Sequence, residues 1–247
     1  MTWTVAAAWG AVAGAALVAG ALTGWFARVP PRVIAIVMAF GAGVLISALA
    51  FDLALEAQES GGLRPTVLGF ALGAVGYVAA NSVLSRWGAH HRKRSGERQP
   101  SVDVGGSGTA IAVGALLDGI PESVVLGVSL LDGTGISMAV VAAVVISNLP
   151  EGLSSAAGMR AAGRSARYVI GLWCAIAVVV TASAAVGYVA LADASPEVIA
   201  TITAVAAGAI LTMVADTMIP EAFERTHLLT GLVTTAGFLT AFVISRG

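Results

Sequence analysis

A chain of 247 residues that is 57% hydrophobic and 11% charged, with a mean hydropathy of +0.91, has too little charge to cover a soluble domain. It reads as a polytopic membrane protein in a lipid bilayer, and its net charge of -1 provides no basic field for nucleic acid. The single Cys174 excludes an internal disulfide, and no basic stretch precedes the first apolar run, so that run is expected to be a spanning helix rather than a cleaved signal.

Apolar runs of about 20 residues predict eight spans. They cover 4–26, 33–56, 66–85, 107–130, 134–159, 166–192, 196–221 and 226–245. The first holds a small-residue face from Ala11 to Gly20, which suits internal packing or a homodimer. Pro30-Pro31 separates it from the second span, which ends in Asp52 and Glu56. Those two carboxylates mark either a cation entrance or the lipid–water boundary. Gly61-Gly62 leads to the third span. The segment 86–106 then carries Arg86, His90, His91, Arg92, Lys93, Arg94 and Arg98 ahead of a Gly/Ser-rich stretch. It is expected to be a mobile loop, its histidines solvated rather than metal-bound.

The fourth span contains Leu117-Asp118-Gly119-Ile120-Pro121-Glu122-Ser123, and the fifth contains Ile146-Ser147-Asn148-Leu149-Pro150-Glu151-Gly152. Each places a proline and a glutamate near the middle of an apolar run. A carboxylate at that depth costs several kcal/mol, and an interior proline removes a helix hydrogen bond. Asp118 and Glu122 are one turn apart on one helix face; Asn148 and Glu151 share a face of the next, beside Ser147. Pro121 and Pro150 each displace the carbonyl four residues earlier, at Leu117 and Ile146. Asp118, Glu122, Ser147, Asn148 and Glu151 all offer oxygen, which hard and intermediate divalent cations favour, whereas a structural zinc site favours His or Cys. These five are the candidate metal residues.

Asp132-Gly133 and Gly163-Arg164 bound the fifth span, and the sixth has no Asp or Glu. Cys174 there, like Met38, Met138, Met159, Met213 and Met218 elsewhere, is expected to pack between helices. After Ser195-Pro196, the seventh span ends in Asp216, Pro220 and Glu221, with Glu224 and His227 beyond, a candidate exit. Eleven of the 13 basic residues fall in the loops 1–2, 3–4, 5–6 and 7–8. The positive-inside rule places those loops in the cytoplasm of a cell-membrane protein, with both termini outside. Residues 41–57 also resemble residues 206–222 at an offset of 165 residues. The expected fold is therefore one all-α domain over 1–247, an eight-helix membrane bundle in a three-plus-two-plus-three plan with inverted repeats. Midplane substrate sites beside broken helices accompany such repeats in transporters.

With these motifs the chain resembles the ZIP (Zrt/Irt-like protein) family of divalent metal transporters along essentially its whole length. The family's fourth helix typically reads His-Asn-x-Pro-Glu-Gly, where this chain has Asp118, Gly119, Ile120, Pro121, Glu122 and Ser123. Its fifth helix is similar to Ser147-Asn148-Leu149-Pro150-Glu151-Gly152, and the end of its seventh to Asp216 ahead of Ile219-Pro220-Glu221. The resemblance implies metal bound between helices four and five, bridging roles for Glu122 and Glu151, and transport of Zn²⁺, Fe²⁺ or Mn²⁺ towards the cytoplasm, with the metal as cargo and no cofactor. The departures are Asp118 in place of histidine, Gly119 in place of asparagine, and Val180 near a position that many members fill with an acid. They favour one main site over two and make a harder ion than Zn²⁺ credible. Alternatives are an intramembrane metal-dependent enzyme and a non-transporting metal sensor. The sequence has no His-Glu-x-x-His run and no nucleophile–base pair, so an enzyme is not expected.

Overall fold

The computed structural model describes residues 2–84, 86, 108–131 and 137–246. Eight long helices form among them: α1 (Trp3–Phe26), α2 (Pro31–Gly61), α3 (Leu63–Leu84), α4 (Gly108–Val128), α5 (Met138–Ala161), α6 (Ala166–Leu191), α7 (Pro196–Thr226) and α8 (Leu228–Arg246). Each corresponds to one predicted span. Seven are long and apolar enough to cross a membrane; the eighth, α4, carries Asp118 and Glu122. The 86–106 segment read as a loop lies outside the described residues apart from Arg86, as does Asp132-Gly133.

The helix ends follow local chemistry. Pro31 and Pro196 open α2 and α7, where a missing N–H costs nothing. Ser137 and Ser165 accept from Val140 N and Tyr168 N, each at 3.3 Å, to cap α5 and α6. The predicted ends of α2 and α7 fall short by about a turn. Both helices continue through a π-helical turn, at Leu49–Leu53 and Val214–Met218, and end at Gly61 and Thr226. The residues that follow, Gly62 and His227, both have positive φ, 85° and 42°. These landmarks of α2 and α7 repeat at the 165-residue offset seen in the sequence.

Glycines set which helices touch. Gly20 and Gly24 of α1 lie on the carbonyls of Leu149 and Leu153 of α5, and Gly152 of α5 lies on that of Leu17. Contacts that advance together in this way mean that α1 and α5 run parallel. Gly127 of α4 likewise meets Ala184 O of α6. A β-carbon at any of these positions would collide with backbone, the close approach that small residues permit in lipid. The repeat is visible here too. Gly43 (α2) meets Thr234 O (α8) while Gly208 (α7) meets Phe70 O (α3); Gly237 (α8) meets Phe40 O (α2) while Gly73 (α3) meets Val205 O (α7). Each repeat lends its third helix to the other. Two groups result, α1–α4–α5–α6 and α2–α3–α7–α8, joined chiefly through α2 on α5 and α4 on α7.

Outward faces are apolar. Leu68, Leu72 and Val75 on α3, and Leu232, Leu239 and Val243 on α8, are all more than half exposed. That is the reverse of a water-soluble bundle and suits hydrocarbon. Cys174, expected to pack internally, is exposed on α6. Met38, Met159, Met213 and Met218 are buried as expected, whereas Met138 at the start of α5 is 58% exposed. The Ala11 to Gly20 face divides: Ala13, Gly14, Ala16, Leu17 and Gly20 are buried, while Ala11, Ala15 and Ala19 line an open apolar groove between α1 and α6.

Candidate metal site

All five candidate ligands are buried. Asp118, Glu122 and Asn148 are each 1% exposed, and Ser147 and Glu151 are no more open than 3%. Pro121 and Pro150 both sit inside continuous helix. The carbonyl that Pro150 displaces, Ile146 O, faces α2 at its least bulky point: a β-carbon on Gly41 would stand 3.5 Å from that oxygen and 3.4 Å from Ser147 Cα and Met218 Cε. The motif of α5 is thus lined by α2 and by the π-helical turn of α7.

The two motifs are held differently. In α5, Asn148 donates its side-chain N–H to Ala13 O of α1 at 3.0 Å. The nitrogen must face that carbonyl, so the amide orientation is fixed, and Oδ1 finds no hydrogen-bond donor among the described residues. Ser147 turns its hydroxyl back to Val144 O at 3.0 Å. In α4, Asp118 Oδ1 accepts from the Tyr77 hydroxyl of α3 at 2.6 Å, and Ser123 donates to Gly119 O at 2.6 Å. The space above Gly119 is occupied by Val180, whose Cγ2 would lie 3.1 Å from a β-carbon there. A buried valine of α6 thus packs beside Gly119 of α4.

The structure buries these donors without closing them into a cluster. The helices α4 and α5 meet over a short stretch, and no group of three or more His, Cys, Asp and Glu gathers to hold a metal among the described residues. The pairs Asp118/Glu122 and Asn148/Glu151 remain one on each helix.

The entrance and exit candidates separate. Asp52 lies in the α2 π-helical turn, half-buried, and accepts from Ser245 of α8 at 2.8 Å, with Arg246 stacked over Phe51. Glu56 is half-buried one turn on. Asp216 is exposed in the α7 π-helical turn. Glu221, which the repeat places opposite Glu56, is buried and accepts a short hydrogen bond from Ser154 of α5. Ser154 is one helical turn beyond Glu151, so Glu221 is linked to the α5 motif. Sequence reasoning missed Tyr77, Ser154 and the Ala13 carbonyl. Tyr77 had a legible signal, a polar tip within an apolar span; the other two are ordinary until the helices pack.

Buried carboxylates, an amide oxygen and displaced carbonyls inside a lipid-facing bundle define a polytopic helical membrane protein with an oxygen-rich polar interior. No protein-family model matches the chain. It is 29% identical over 212 residues, 83% of its length, to the Arabidopsis thaliana protein named "Putative zinc transporter At3g08650". It spans 32% of that protein's own length.

Proposed function

We propose that the protein is a ZIP-type carrier of divalent transition-metal cations, moving Zn²⁺, Fe²⁺ or Mn²⁺ towards the cytoplasm by alternating access. The observation that carries the reading is Asn148. Its nitrogen is pinned to α1, and its buried oxygen has no hydrogen-bond donor among the described residues, on the same helix face as Glu151. A buried amide oxygen left without a donor costs stability unless it serves a ligand, and a cation is the ligand for an acceptor-only atom beside carboxylates. The name of the plant relative points the same way.

In this reading Asp118, Glu122, Asn148 and Glu151 bind the metal and Ser147 stands beside them. The carboxylate charges are compensated when a dication is present and costly when it is not. Donors held as two pairs rather than one closed cage suit a cargo that must also leave. Val180 beside Gly119 favours one main site. Metal passes Asp52 and Glu56 on the outer side and leaves by Glu221 and Asp216, and rocking of one four-helix group against the other switches access. Both termini lie outside, and the membrane potential favours entry of a dication.

The test is uptake of Zn²⁺, Mn²⁺, Fe²⁺, Co²⁺ and Cd²⁺ in turn by purified protein in sealed proteoliposomes, with the Glu122→Ala/Glu151→Ala double variant alongside. Uptake lost in the variant supports the reading. Absence of uptake from folded protein overturns it in favour of a sensor or an enzyme.

A further inference from the structure

We propose that Tyr77 is a positioning residue that sets metal preference by holding Asp118 to one-oxygen coordination. The inference rests on the transport-site reading above and adds to it a residue from outside the two motifs. Tyr77 is 2% exposed on α3, a helix that otherwise turns much of its surface outward. A tyrosine buried there needs a partner for its hydroxyl, and the partner is Asp118 Oδ1 at 2.6 Å, within the short range of a hydrogen bond to an ionised acceptor. The bond crosses between the two helix groups, because α3 belongs to one and α4 to the other.

A carboxylate with one oxygen committed to a phenol meets a cation through the other. Partners of this kind, hydrogen-bonded to a ligand, orient it and tune the metal it holds. One-oxygen ligands keep coordination numbers low, which suits four-coordinate Zn²⁺; a carboxylate able to use both oxygens raises the coordination number and suits larger, harder ions such as Mn²⁺. Tyr77 therefore offsets the loss of an imidazole at position 118: the ligand is a carboxylate, but it is restrained to act through a single atom.

The experiment compares Zn²⁺ and Mn²⁺ uptake for the unaltered chain and Tyr77→Phe in proteoliposomes. It adds equilibrium binding of both ions in nanodiscs for Tyr77→Phe, Asp118→Asn and the double variant. Tyr77→Phe keeps the ring and its packing. The expected result is a rise of about threefold or more in the preference for Mn²⁺ over Zn²⁺, read in KM and Kd rather than in kcat. The same substitution on the Asp118→Asn background is expected to change the preference by less than about 1.5-fold, because Tyr77 acts through the Asp118 carboxylate and the effects of coupled residues do not add. An unchanged ratio in Tyr77→Phe, or an equal shift with Asp118 already replaced, overturns the role of Tyr77 while leaving the transport reading standing. Failure of the unaltered chain to take up any cation overturns both.

Discussion

The two Pro-Glu motifs are nearly the same in sequence and are supported by different means. The α5 motif is fixed by backbone: Gly152 lies on the Leu17 carbonyl, Gly20 of α1 lies on Leu149, and Asn148 is bonded to Ala13 O. Arg160 extends the same contact at the helix end, donating to the carbonyls of Trp25 and Ala27 where α1 runs out of intrahelical partners. The α4 motif has a long-range side-chain tie of another kind, the bond from Tyr77, which comes from the opposite helix group. The α5 motif is therefore tied to a helix of its own group, and Asp118 of the α4 motif is tied across the boundary between groups. If the groups move, the α5 donors move with α1 as a unit, whereas Asp118 must carry Tyr77 along or release it.

The largest effect should come from the shared element. Glu122→Ala with Glu151→Ala is expected to bring metal uptake down to that of protein-free vesicles while the helical circular dichroism signal is retained. Residual uptake above that background would detach transport from both motifs.

Next comes the backbone support. Gly152→Val should prevent α1 and α5 from closing, since its β-carbon alone would overlap Leu17 O. Loss of the monodisperse species on size-exclusion chromatography is expected. The matching position in α4 is already Ser123, whose hydroxyl bonds within its own helix, so Ser123→Ala should leave the elution profile intact. Equal behaviour of the two variants would remove the contrast.

A change of ligand chemistry should be smaller. Asp118→His is expected to shift competition towards Zn²⁺ over Mn²⁺, because imidazole is the softer donor. Unchanged competition between the two ions would argue against Asp118 as a ligand.

The smallest effect is expected at the rim. Ser245→Ala removes the donor to Asp52 but leaves Arg246 over Phe51, and in a membrane bundle such a bond averages about 0.6 kcal/mol. Thermal stability should fall by only a few degrees, and uptake should persist. A pronounced loss of uptake at unchanged stability would make Asp52 part of the entrance rather than a tie between α2 and α8.

The amino-acid sequence determined the number of helices, the lipid-facing character, the 165-residue repeat and the two proline-bearing acidic motifs. Each of these depends on composition or short spacing: hydrocarbon requires about 20 apolar residues per crossing, and carboxylates in such runs stand out by their cost. The sequence also carried the repeat at Glu56 and Glu221, but not the π-helical turns within α2 and α7, because one extra residue in a turn leaves no mark on hydropathy. Only the tertiary structure decided that the repeats exchange their third helices, that Gly43, Gly73, Gly208 and Gly237 seat on carbonyls of the opposite repeat, and that Asp118 is held by Tyr77. Glycines and alanines are spread along every span, so no single one announces its neighbour. Which backbone approaches it is settled by the packing of all eight helices together, and the same packing brings Tyr77 to Asp118 across 41 residues of chain.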